Sequence, residues 1–172
     1  FNSTEQELNQ TKNAQISILT MSLAILEILK KENINAEALM GLSLGEYVAL
    51  ISSNAISFED GIKIVKTRGE LMQNLCPKGD WRMAAILGLE EKEVVKVCDD
   101  TEGFVTVANF NCPGQIVISG EKESVNNAME AMKKAGAKRT LELKTSGPFH
   151  TEKLSEASNE LRKELENIAI NN

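Results

Sequence analysis

Sulfur and imidazole ligands are scarce in this 172-residue sequence, which holds three cysteines and one histidine. Cys76, Cys98 and Cys112 are odd in number and far apart. They show neither a disulfide framework nor a metal-ligand spacing, so no metal is expected and the setting predicted is reducing and cytoplasmic. Positive charge is in deficit: 19 Lys and Arg stand against 25 Asp and Glu, a net charge of −6. A nucleic-acid partner needs a dominant basic field, so that class is excluded. No uninterrupted apolar run reaches the length of a bilayer span, and no basic segment with an apolar follower marks a leader peptide. No membrane partner is expected. What is present, 42% apolar and 26% charged residues, is the composition of a globular protein long enough to bury a sizeable core.

Residues 38–50, Ala-Leu-Met-Gly-Leu-Ser-Leu-Gly-Glu-Tyr-Val-Ala-Leu, read as a short apolar strand, a Gly41-Leu42-Ser43-Leu44-Gly45 turn and the start of an apolar helix. That is the setting in which G-x-S-x-G places a nucleophilic serine on a strained strand-to-helix elbow, with glycines letting the two elements approach closely. The N–H of Leu44, the residue after the serine, is the natural first oxyanion donor. A bare match to the motif is also what an ordinary turn looks like.

Around this stretch, residues 1–13 are polar and read as a loop. Residues 14–31 read as a helix that is apolar nearly all round, with Gln15, Ser17, Thr20, Ser22 and Glu27 as interruptions. Such a helix is expected to be buried on most sides, against the sheet that carries Ser43. Ser57-Phe58-Glu59-Asp60 reads as a helix N-terminus, and the following helix runs to about residue 75 with Ile64, Leu71 and Leu75 on one face. Arg68 falls inside that apolar stripe, where an unpaired charge is costly. It either makes a structural ion pair, snorkels out at the rim, or forms a fork for a substrate carboxylate.

After Pro77-Lys78-Gly79-Asp80 the pattern changes. Strands are expected at 83–89, 104–111, 115–120 and 138–144, and helices at 90–100 and 121–135, the latter burying Val125, Ala128, Met129 and Met132. The order β-α-β-β-α-β is that of a ferredoxin-like split unit. His150 follows in a Gly-Pro loop, ahead of a helix with Leu154, Ala157, Leu161, Leu165 and Ile168 on one side. A lone histidine is commonly a surface or capping residue. A serine nucleophile, however, needs a base of imidazole's pKa, and this is the one histidine in the chain.

Five blocks occur in order: Gly41-Leu42-Ser43-Leu44-Gly45-Glu46-Tyr47, Thr67-Arg68-Gly69-Glu70-Leu71-Met72-Gln73, Met83-Ala84-Ala85-Ile86-Leu87-Gly88-Leu89, Asn109-Phe110-Asn111-Cys112-Pro113-Gly114-Gln115 and Gly147-Pro148-Phe149-His150. Together they resemble the malonyl-CoA:acyl carrier protein transacylase family over essentially the whole chain. The resemblance implies an α/β fold: a hydrolase-like body over 1–79 and 147–172, a ferredoxin-like insert over 80–146, and a groove between them. It implies Ser43 as the acylated serine, His150 as the base, Leu44 N–H as an oxyanion donor and Arg68 as the grip on the malonyl carboxylate. Phe149 resembles the residue that selects malonyl over methylmalonyl groups. Asn109, Asn111 and Gln115 match a segment expected to border the pantetheine. The partners implied are a coenzyme A thioester and acyl carrier protein, with no cofactor. Because carrier proteins are acidic, a basic docking cluster is expected at Lys133, Lys134, Lys138 and Arg139, with Lys63, Lys66 and Lys78 as further candidates. An ordinary solvated helix end has the same composition.

The sequence departs from the family pattern at Leu42, where most members carry histidine. The family's N-terminal Gly-Gln-Gly segment and the stretch that orients the histidine are not in this chain, and 168–172 resembles a strand just beginning. An internal piece with little transfer activity alone is therefore expected. The alternatives are a serine esterase or thioesterase of hydrolase type, a non-catalytic acyl-CoA-binding piece, and an acyltransferase domain of a larger synthase.

Overall fold

The computed structural model describes residues 3–145 and 147–171. Ser146, at the expected domain boundary, and Asn172, at the end of the expected final strand, lie outside the described residues. The chain divides into two compact units, Phe1–Asn74 with Ala157–Asn172, and Leu75–Glu156.

The first unit is helical. A short helix α1 (Glu5–Leu8) is closed by a capping box between Thr4 and Glu7, a turn that the polar composition of 1–13 concealed. Helix α2 (Thr11–Lys31) is followed by α3 (Leu44–Ser52) and α4 (Phe58–Asn74). Helix α4 starts where the sequence placed it: Ser57 Oγ accepts from Asp60 N at 3.0 Å. Leu19, Leu23, Tyr47, Ile51, Ile56, Ile64 and Val65 form the core, with Leu161, Leu165 and Ile168 packed against it.

Two expectations for this unit fail. Residues 38–40 form no strand, and among the described residues the unit has no strand at all. An extended segment becomes a strand only when a neighbour pairs with its backbone, and none is there to do so. Helix α2 is not buried on most sides: Gln15, Leu19 and Leu23 are buried, whereas Ile18, Met21, Ile25 and Ile28 are more than half exposed. By length and composition alone α2 is long and apolar enough to cross a membrane, a test that core helices also pass.

The second unit holds a four-stranded antiparallel sheet of β1 (Trp81–Leu87), β2 (Val105–Cys112), β3 (Gln115–Glu121) and β4 (Arg139–Leu143), in the order β2-β3-β1-β4. Helices α5 (Glu91–Asp100) and α6 (Lys122–Lys134) connect β1 to β2 and β3 to β4. Alternation along the strands puts Ala84, Ile86, Ile116 and Ile118 on the helix side, packed with Val94, Cys98, Val125, Ala128 and Met132. Burial, with Asp99 adding to it, pushes the Cys98 thiol up to about 12. Trp81 Nε1 donates to Pro77 O at 2.7 Å and ties the preceding turn to the sheet. The chain then passes through a 3₁₀ turn at Glu152–Leu154 into α7 (Ser155–Leu165).

Candidate active site

The elbow before α3 is built by close approach. A Cβ on Gly41 would lie 2.0 Å from the carbonyl carbon of Gly45, so only glycine fits there. At Gly45 an added Cβ would meet nothing within 4 Å. Between them Ser43 adopts φ 54°, ψ −110°. A residue with a side chain held there stores about 1–3 kcal/mol of strain, the kind of outlier that clusters at functional sites. Ser43 precedes the helix, yet its hydroxyl does not cap it. Ser43 Oγ instead accepts a hydrogen bond from Arg68 Nη2 at 2.9 Å. Leu44, the first residue of α3, carries one of the N–H groups that a helix N-terminus leaves without intrahelical partners.

Arg68 is 9% exposed, in the middle of α4. Its Nη1 donates to Gln15 Oε1 of α2. Its guanidinium carbon lies 5.6 Å from the centroid of the Tyr47 ring. Among the described residues no carboxylate makes an ion pair with it, which removes the structural ion pair that the sequence left open; nor does it snorkel to the rim. Burial lowers the guanidinium's pKa, while Tyr47 and the exposed Glu46 raise it. Burial likewise raises the Tyr47 hydroxyl, against the pull of Arg68. Neutral partners satisfy N–H donors but do not neutralise a charge. The arrangement leaves a desolvated cation beside a strained serine hydroxyl, a site that can take an anionic group.

His150 and Phe149 lie in the second unit. Phe149 N donates to Gly147 O at 2.9 Å, and Thr151 Oγ1 to Pro148 O at 2.7 Å, which fixes a tight turn over the buried Pro148. His150 has φ 59° and is exposed, and Phe149 is half-buried. Asn109 and Asn111 are on β2, which is irregular between Val107 and Asn109 and again between Phe110 and Cys112. Gln115 opens β3 and accepts from Cys112 Sγ at 3.8 Å, so the structure brings these three to one hairpin. Lys133, Lys134, Lys138 and Arg139 are exposed around the end of α6 and the start of β4, and Lys133 pairs with Glu130 at 2.5 Å.

The sequence model described as "Acyl transferase domain" matches residues 1–172. This chain belongs to the acyl transferase domain family. It is 44% identical over 169 residues to the malonyl CoA-acyl carrier protein transacylase of Bacillus subtilis (strain 168), an alignment that covers 96% of this chain and 53% of that protein. It is 44% identical over 154 residues to the transacylase of the same name from Staphylococcus aureus (strain MRSA252), covering 88% of this chain and 49% of the relative. The chain thus spans about half the length of the curated relatives it matches. Among solved structures, the malonyl CoA-acyl carrier protein transacylase of Clostridium perfringens superposes with a TM-score of 0.90 at 44% identity, covering 100% of this chain and 55% of that one. A malonyl-transacylase in complex with a type II PKS acyl-carrier protein superposes with a TM-score of 0.91 at 40% identity, covering 99% of this chain and 56% of that one.

Two residues that contact Arg68, Gln15 and Tyr47, were missed from sequence. Gln15 was read as an interruption in an apolar helix, and Tyr47 as part of the elbow motif. The signal for Gln15 was available: it lies four positions before Leu19 and eight before Leu23, so an amide occupies the buried stripe of α2.

Proposed function

We propose that the protein transfers a malonyl group from malonyl-CoA to the phosphopantetheine thiol of acyl carrier protein, in fatty-acid synthesis, through a malonyl-serine at Ser43. The observation that carries this reading is Arg68: a buried guanidinium with no carboxylate partner among the described residues, donating to the hydroxyl of Ser43. A substrate with a free carboxylate supplies the missing charge, and a bidentate pair with the fork fixes its orientation. An acetyl group leaves the guanidinium unpaired and is disfavoured.

In the first half-reaction Ser43 Oγ attacks the thioester carbonyl while His150 accepts the hydroxyl proton. The tetrahedral oxyanion is held by Leu44 N–H; it collapses with cleavage of the C–S bond, and coenzyme A leaves with the proton from His150. In the second half the carrier-protein thiol attacks the malonyl-serine ester as His150 takes its proton; the ester C–O bond then breaks, and Ser43 Oγ leaves with that proton. Each step uses a side chain or a backbone group and calls on no metal or cofactor. Phe149 fills the space an α-methyl would need, and Asn109, Asn111 and Gln115 border the pantetheine. In this reading the strand order and connectivity of the second unit are those of a ferredoxin-like insert, in a hydrolase-like body divided near residues 79 and 147. Such thioester chemistry suits a reducing cytoplasm.

Intact-mass measurement after exposure to malonyl-CoA tests the proposal in the protein at its full natural length. The wild type is expected to gain one malonyl group, Ser43→Ala none, and Arg68→Ala to exchange malonyl for acetyl when both donors are supplied. Release of free malonate without a stable adduct favours a thioesterase, and an adduct surviving Ser43→Ala overturns the assignment.

A further inference from the structure

The amide of Gln15 holds the Arg68 guanidinium from the side opposite Ser43. Gln15 is 7% exposed and projects from the same stripe of α2 as Leu19 and Leu23. Its Oε1 accepts from Arg68 Nη1, and its Nε2 donates to Met72 Sδ at 3.2 Å. The reverse orientation of the amide would set NH₂ against the N–H groups of the guanidinium, so the Arg68 contact and the thioether together fix which way the amide faces. With Tyr47 beneath the guanidinium at 5.6 Å, Arg68 is held at one nitrogen and on one face while its other nitrogen reaches Ser43 Oγ.

We propose that Gln15 is a positioning residue that sets acyl selectivity: a neutral acceptor that fixes the Arg68 fork toward Ser43 without cancelling the charge the substrate carboxylate needs. The inference rests on the reading of Arg68 as the carboxylate grip. The residue type follows from what each replacement would do. A leucine would leave Nη1 buried without an acceptor, and the fork would turn to find one. A glutamate would form an ion pair in a desolvated site and act as a built-in competitor for the incoming carboxylate. Glutamine alone among these satisfies the donor and leaves the charge available.

The test is the ratio of kcat/KM for malonyl-CoA to that for acetyl-CoA, in the protein at its full natural length. Gln15→Glu is expected to lower the malonyl term about tenfold or more while the acetyl term stays within about twofold of wild type. Gln15→Met, similar in volume but with no comparable acceptor, is expected to raise KM for malonyl-CoA with little change in kcat for acetyl-CoA. A purely structural role would depress both donors together in both variants, and that result overturns the proposal. So does a Gln15→Glu enzyme with wild-type selectivity while Arg68→Ala has lost it. If Arg68→Ala itself keeps the wild-type ratio, the grip reading fails, a result distinct from failure of the Gln15 assignment.

Discussion

Ser43 lies in a conformation that glycine tolerates freely and serine adopts only under strain, at φ 54°, ψ −110°. Its retention there makes sense if the hydroxyl is needed more than the strain is harmful. Ser43→Gly is accordingly expected to be more stable than Ser43→Ala by about 1 kcal/mol in urea denaturation, although both lack the hydroxyl. Equal stabilities would mean that the elbow is not strained. At this scale the serine was legible because the motif and its apolar flanks coincide, and Arg68 because its helical phase put it in the buried stripe. Whether an acid elsewhere paired with Arg68 was not legible. That depends on which side chains the fold brings near, and those turned out to be Gln15, Ser43 and Tyr47.

Among the elements, the elbow depends unequally on its two glycines. Gly41→Ala would drive a methyl group into the Gly45 backbone and is expected to destabilise the protein by about 1–3 kcal/mol. Gly45→Ala meets open space on a helix and is expected to stabilise by about 0.5–1 kcal/mol. Thermal denaturation of the two variants checks the contrast; equal losses would contradict the geometry. The sequence alone had assigned both glycines to close approach. The β-α-β-β-α-β order of the second unit could be read in advance because each of its strands finds its neighbours within about forty residues, apart from the late β4, and each helix has a single clean apolar face. The expected strand at 38–40 could not be settled that way. Its residues are apolar, but a strand also requires a partner, which local sequence does not reveal. Helix α2 misled for a related reason: Ile18, Met21, Ile25 and Ile28 are apolar but not buried, so composition hid the single stripe that is.

Over the whole molecule, the net charge of −6 opposes an acidic partner, so carrier-protein docking needs a local exception. The exposed cluster Lys133, Lys134, Lys138 and Arg139 is the surface proposed for it. Combined Lys133→Glu and Lys138→Glu replacement is expected to slow malonyl transfer to acyl carrier protein about tenfold at low salt, to flatten its salt dependence, and to leave loading from malonyl-CoA unchanged. Stopped-flow transfer rates at several ionic strengths check this, and unaltered transfer places docking elsewhere. The proposed chemistry turns on the buried guanidinium beside the serine, with which no carboxylate among the described residues makes an ion pair. A crystal structure of the malonylated protein tests that claim most directly. The acyl group is expected on Ser43 Oγ, with its terminal carboxylate paired to Arg68 while Gln15 and Tyr47 keep their places. A malonyl carboxylate pointing into solvent, or Arg68 paired with an acidic side chain of the protein, would contradict it.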